Sequence, residues 1–197
     1  MKNLLVGVSV ILSLTSPPAA YAASALETLK TDVERVLSVL RDPALKAPSA
    51  TKIREEKVLA VAEPMFDELE LSRRSMARNW DKLNPGQQKE FVTLFRKVLE
   101  RAYMDKILTY TNEQIVFGKE IMLAQDRAEV ETRIITSSAQ IPITYRLILK
   151  DGTWKVYDVV IEGVSLVQNY RSQFNEIMAK NSPNELLAIL RKKVEAS

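Results

Sequence analysis

The period of the apolar residues divides the chain into three blocks. From Leu26 to Tyr110 the spacing is helical. Leu26, Leu29, Val33, Val36, Leu37 and Leu40 trace one helical face that ends before Asp42-Pro43. A loop with Pro43 and Pro48 follows, and Ile53, Val58, Leu59 and Ala62 then predict a second helix closed by Pro64. Phe66, Leu69, Met76 and Trp80 continue the helical spacing, with Arg73, Arg74 and Arg78 on the other side. The next start signal is the clearest in the chain. Asn84 suits an N-cap, Pro85 the first helical position and Gln87 the return arm of a capping box. From there Phe91, Leu94, Phe95, Val98, Leu99, Ala102, Ile107 and Tyr110 form a stripe wider than a single seam needs, as expected of a helix facing a core.

After Tyr110 the period becomes two. Residues 115–117, 120–123, 128–136 and 141–150 predict successive strands. Ile143, Tyr145, Leu147 and Leu149 share one face, and Thr144, Arg146 and Lys150 the other. Asp151-Gly152 is the signature of a tight hairpin into the next strand. That strand opens the stretch around which the rest is organised, Trp154 to Phe174. Trp154, Val156, Tyr157, Val159, Val160 and Ile161 are β-branched or aromatic. From Val164 the spacing turns helical through Val167, Tyr170, Phe174 and Ile177, with Gly163 at the change and Ser165 placed to cap the new helix. Ser182 and Glu185 then cap a last helix carrying Leu186, Leu187, Leu190 and Val194. Helices, an antiparallel meander, then helices predict an α+β domain with helices packed on one face of a curved sheet. Where the two do not close on each other, a cavity is left.

The first 22 residues stand apart. Lys2, the apolar run from Leu4 to Leu14 and the small-x-small site Ala20-Tyr21-Ala22 predict a secretory signal peptide over residues 1–22. Residues 23–197 are then expected to form a single domain in the periplasm. The apolar run is shorter than the roughly 20 residues a spanning helix needs, so the mature protein is not expected to span a membrane. No cysteine follows the run, so no lipoprotein anchor is expected either. A net charge of +3, without a clustered basic face, gives no reason to expect nucleic acid as a partner.

Chemistry is limited by what is missing. With no His and no Cys, the usual zinc, copper and haem ligands are absent, and so are Cys–His and Ser–His–Asp nucleophiles. No cofactor or metal is expected. Asp158 and Arg171 are placed to pair, and the expected role is to pin the strand–helix corner.

The order Tyr157-Asp158, then Glu162-Gly163-Val164-Ser165, then Tyr170-Arg171-x-x-Phe174 resembles the MlaC, or toluene-tolerance, family of phospholipid-binding proteins. Phe66-Asp67, the Trp80 segment, Asn84-Pro85-x-Gln87 and Phe91-x-x-x-Phe95 resemble it too, so the likeness covers nearly the whole mature chain. It implies a bent antiparallel four-stranded sheet with helices packed on its concave face, a nuclear-transport-factor-like cone with additional helices. It also implies a periplasmic carrier that takes phospholipid between an inner-membrane ABC transporter complex and an outer-membrane lipoprotein complex, with the acyl tails enclosed. The wall of such a pocket would draw on Phe66, Leu69, Phe95, Tyr103, Tyr145, Leu147, Tyr157, Val159, Ile161, Val164, Tyr170 and Phe174. Arg73, Arg74, Arg78 and Lys82 would give a weakly basic rim suited to phosphate, against the plainer reading of a solvated helix face. One departure stands out: Ala77 occupies the place of a family glycine, and Asn79 replaces one member of an aromatic pair, leaving Trp80. That fits a side branch with another lipid, such as the members associated with hopanoid genes.

The energetics allow a carrier. Two tails of roughly 30 methylenes correspond to ~24 kcal/mol of transfer from water. That exceeds the practical affinity ceiling of about 18–21 kcal/mol, so the relevant exchange is membrane to pocket, which is nearly balanced. Two other classes compete. One is an envelope adaptor whose cavity is filled by its own side chains. The other is a cone-fold enzyme using Tyr145, Tyr157 and Asp158, which is disfavoured because strand alternation puts Tyr157 and Asp158 on opposite faces.

Overall fold

The computed structural model describes residues 23–195; the signal segment expected over 1–22 lies outside them. Helix α1 (Ala25–Arg41) opens on a capping box in which Ser24 and Glu27 exchange backbone and side-chain hydrogen bonds. Two short 3-10 turns at Pro43 and Pro48 lead into α2 (Thr51–Ala62), which stops before Pro64. Here the helical expectation for Phe66 fails. Phe66 is extended and forms a parallel bridge with Val156, and the next amide, Asp67 N–H, donates to the Val156 carbonyl at 2.9 Å. Only then does Asp67 cap α3 (Glu68–Met76), accepting the Glu70 N–H. Trp80 follows in a 3-10 stretch, Ala77–Lys82. Helix α4 (Pro85–Leu108) starts with the expected Asn84–Gln87 capping box.

The sheet is antiparallel in sequence order: β1 (Gln114–Ala124), β2 (Arg127–Ile135), β3 (Gln140–Lys150), β4 (Thr153–Ile161) and β5 (Val164–Ser165). The four long strands are those expected, except that residues 115–117 and 120–123 are one strand interrupted by a bulge. Gly118 makes the bulge possible, since a Cβ there would stand 3.2 Å from the Glu131 carbonyl oxygen. The two-residue β5 is an addition. Glu162 and Gly163, both at positive φ, turn the chain back as a tight hairpin like that of Asp151-Gly152. The sheet-to-helix change is therefore at Leu166, not Val164.

Helix α5 (Leu166–Lys180) is capped by Ser165, and α6 (Pro183–Glu195) by the reciprocal Ser182–Glu185 hydrogen bonds. Side chains separate into two apolar cores. One joins the sheet to α1, Val58 of α2 and Met104 of α4. The other is built from α3, the 3-10 stretch, α5, α6 and the first half of α4, with Phe91, Phe95, Tyr170 and Phe174 in edge-to-face contact. The wide stripe of α4 thus serves two cores in succession.

Candidate functional site

The register of the strands sorts the sheet's inner face into cross-strand rows. Ile115, Ile134 and Ile141 form the first, and Phe117, Thr132, Ile143 and Ile161 the second. Glu120, Val130, Tyr145 and Val159 form the third, and Met122, Ala128, Leu147 and Val156 the fourth. Val156 and Val159 are three residues apart yet lie in one core, which alternation alone forbids. A bulge on β4 at Tyr157 resolves this: Arg146 opposes Asp158 while Leu147 opposes Val156. Burial is complete at the centre of the face, at Ala128, Val130 and Leu147. It falls off toward the first row, where all three isoleucines are half-buried.

Tyr145 is the unusual member of this face. Protein encloses its phenol, and that desolvation pushes the pKa up to about 12. Yet the residue keeps accessible surface and is only half-buried. The other polar side chains of the face are engaged. Glu120 accepts the Leu26 N–H at 2.9 Å, Thr132 donates to the Ile143 carbonyl at 3.0 Å, and Trp154 Nε1 donates to Ala23 at 3.1 Å.

The residues expected to form one wall fall in several places. Tyr145, Leu147, Val159 and Ile161 lie together on the inner face. Phe66 packs against both cores. Phe95, Tyr170 and Phe174 belong to the helical core, with Tyr103 half-buried and the Lys106 ammonium 6.0 Å from its ring centre. Tyr157 is turned off the inner face by the bulge and lies under the Arg74 guanidinium, 4.3 Å from its ring centre. Leu69 and Val164 are 49% and 58% exposed. Leu69 and Phe66 instead line an outer groove of about 520 Å³ with Val92 and the charged side chains of Glu68, Lys150 and Lys155.

The MlaC protein family matches residues 30–192. The chain belongs to the MlaC family. It is 27% identical over 120 residues to the toluene tolerance protein ttg2D of Pseudomonas putida, covering 60% of this chain and 56% of that protein. Over 106 residues it is 27% identical to the intermembrane phospholipid transport system binding protein MlaC of Haemophilus influenzae, covering 51% and 50%. The matched stretch is thus about half the length of either relative. The structure resembles that of a phospholipid-binding protein from Ralstonia solanacearum solved with a phospholipid. The TM-score is 0.79 at 24% identity, with 88% of this chain and 98% of that one covered, a likeness of fold.

The departure from the MlaC-family pattern has a backbone consequence. Ala77 lies at φ 46°, ψ −126°, a conformation natural to glycine and strained for a residue with a Cβ. The polar corner also differs from expectation. Asp158 is fully buried and pairs with Arg146 at 3.1 Å, not with Arg171. It accepts from the Ser165 hydroxyl at 2.6 Å and the Val167 N–H at 3.0 Å, so it does pin β4 to the start of α5. Arg171 donates instead to the Arg74 carbonyl. The bulge also places Tyr157 and Asp158 on the same side of β4, against the alternation expected of them. Both are occupied there, Tyr157 by the guanidinium of Arg74 and Asp158 by its three donors. Of the expected basic rim, Arg74 is held by Glu70 at 2.7 Å and Lys82 by Asn79 at 2.8 Å, while Arg73 is exposed. No helix among the described residues is long and apolar enough to cross a membrane, and no group of them is arranged to hold a metal ion.

Proposed function

We propose that this protein is a periplasmic phospholipid carrier. It holds acyl tails against the inner face of the sheet and passes lipid between an inner-membrane ABC transporter complex and an outer-membrane lipoprotein complex, maintaining outer-membrane lipid asymmetry. The observation that carries the reading is the inner face itself. Ala128, Leu147 and Val156 are buried at one end of its apolar rows and the isoleucines are half-buried at the other, around a desolvated Tyr145 that retains accessible surface. A core packed only for stability is filled to crystal-like density, so we read the accessible surface that Tyr145 keeps among these apolar rows as unfilled space. Family membership and the phospholipid-bound neighbour of the same fold favour lipid as the filling. The wall we assign is Ile143, Tyr145, Leu147, Val159 and Ile161, with Phe66 at the seam between the cores.

The test is to purify the mature protein from a bacterial periplasm without detergent, extract it with organic solvent and analyse the extract by mass spectrometry. A stoichiometric two-tailed lipid is expected. Folded protein that carries none, even after incubation with liposomes, would favour the adaptor reading. Val159→Arg should abolish loading, because it puts a charge among the apolar rows. Normal lipid recovery from well-folded Val159→Arg protein would remove that row from the site.

A further inference from the structure

We infer that Tyr145 donates a hydrogen bond to the bound lipid, and that the acceptor is an acyl ester carbonyl, so that the pocket selects ester-linked over ether-linked lipids. This rests on the carrier reading. Three observations point to it. No described residue hydrogen-bonds to the Tyr145 hydroxyl, whereas Glu120, Thr132 and Trp154, the other polar side chains of the face, all have protein partners. Desolvation keeps the phenol protonated at physiological pH, so the hydroxyl stays a donor. The register places it between Val130 and Val159, on the apolar wall and not on the outer side of the sheet.

The contrast with other tyrosines sharpens the point. Tyr110 exchanges hydrogen bonds with Arg41 and the Glu113 carbonyl. Tyr157 and Tyr170 are buried but lie off the inner face, Tyr157 under the Arg74 guanidinium and Tyr170 among the rings of the helical core, and Tyr103 lies on α4. Tyr145 is the tyrosine that lies on the inner face, among the apolar rows. Once acyl tails displace water from this face, a hydroxyl left without a partner is costly, and a ligand oxygen brought to it removes that cost. In a diacyl phospholipid the oxygen nearest the tails is the ester carbonyl. The dialkyl ether analogue has tails of the same length and the same phosphate but no carbonyl. Tyr145 lies two rows inside the half-buried isoleucines, so a lipid meeting it this way sits with its glycerol inside the rim.

The experiment loads delipidated protein from vesicles of dipalmitoyl phosphatidylglycerol or of its di-O-hexadecyl ether analogue, mixed in equal amounts. The protein-bound lipids are then measured by mass spectrometry. Wild type is expected to favour the ester roughly three- to tenfold, the scale of one net hydrogen bond. Tyr145→Phe should bring the ratio to about one while ether loading is unchanged. The lipid-free variant should melt no lower than wild type, since it loses only an unpartnered hydroxyl. Equal loading of the two lipids by wild type overturns the inference alone. So does a Tyr145→Phe protein that keeps the preference. Wild type that takes up neither lipid overturns the carrier reading, and this inference with it.

Discussion

The two halves of α4 meet opposite kinds of apolar surface. Its first half enters an aromatic cluster in which Phe91 is 0% and Phe95 1% exposed, with ring centres about each other at 4.9 to 5.8 Å. Its second half ends over the sheet, where buried Val130 and Leu147 are surrounded by the half-buried Ile115, Phe117, Ile134, Ile141, Tyr145 and Ile161. Both surfaces are rich in large apolar side chains. What separates them, on the carrier reading, is closure. Four helices can rotate and shift until aromatic rings interlock, whereas a bulged sheet is held in shape by its hydrogen bonds and cannot collapse to fill a gap.

The largest effect should come from cutting into the closed side. Phe95→Ala is expected to cost about 3–5 kcal/mol in chemical denaturation, because its ring contacts with Phe91, Tyr170 and Phe174 are replaced by a cavity that interlocked neighbours cannot refill. On the open side Ile161→Ala should cost less than about 1.5 kcal/mol and lower the amount of bound lipid instead. A large stability loss at Ile161 together with a small one at Phe95 would break the comparison.

Next comes the corner that joins the two regions. Asp158→Ala leaves the Arg146 guanidinium with only Glu129, removes the acceptor for Ser165 and the Val167 N–H, and uncaps α5 from below. A loss of about 3 kcal/mol is expected, with the thermal midpoint falling accordingly. If the corner only decorates the fold, Asp158→Ala will melt within a degree or two of wild type.

A gain of about 1 kcal/mol is expected from Ala77→Gly. Removal of the Cβ relieves a backbone at φ 46°, and this should exceed the entropy glycine adds to the unfolded chain. The substitution lies wholly in the helical region, so lipid loading should not change. Denaturation midpoints of the two proteins at equal slope check both statements.

Much of this was legible from local signals. The Asn84 and Ser182 capping boxes, the Asp151-Gly152 turn and the run of four long strands are short-range chemistry, and the structure holds them where the pattern put them. The division into two cores was visible only as excess width in the α4 stripe. Nothing local says that Phe91 and Met104 serve different interiors. The bulge at Tyr157 left a trace in the sequence: Val156-Tyr157 and Val159-Val160 are adjacent apolar pairs around Asp158, a break in parity that strict alternation does not produce. Which apolar residues face empty space is a property of closure between distant segments, and a single strand's pattern carries no information about it. Thus Leu69 and Val164 were expected in a wall and are exposed, while the wall we propose centres on Tyr145.

The smallest effect tests the seam between the regions by pH. Asp67 joins them twice, through its N–H to the Val156 carbonyl and through its carboxylate to Lys150 at 2.8 Å. Burial alone would raise its pKa, but the hydrogen bonds from Lys150 and from the Glu70 and Leu69 amides outweigh it and hold the pKa below the usual carboxylate value. A depressed folded-state pKa contributes stability that is full above the unfolded value, near 3.8, and is lost as the pH falls through the folded one. Lys150 is half exposed, so solvent screens the pair and the contribution should stay below about 1 kcal/mol. Asp67→Asn should therefore melt slightly below wild type at pH 7, with the gap closing on acidification below the folded-state pKa. A gap that persists at pH 2 would assign the loss to the α3 cap instead of the charge, and the seam would then be held by backbone alone.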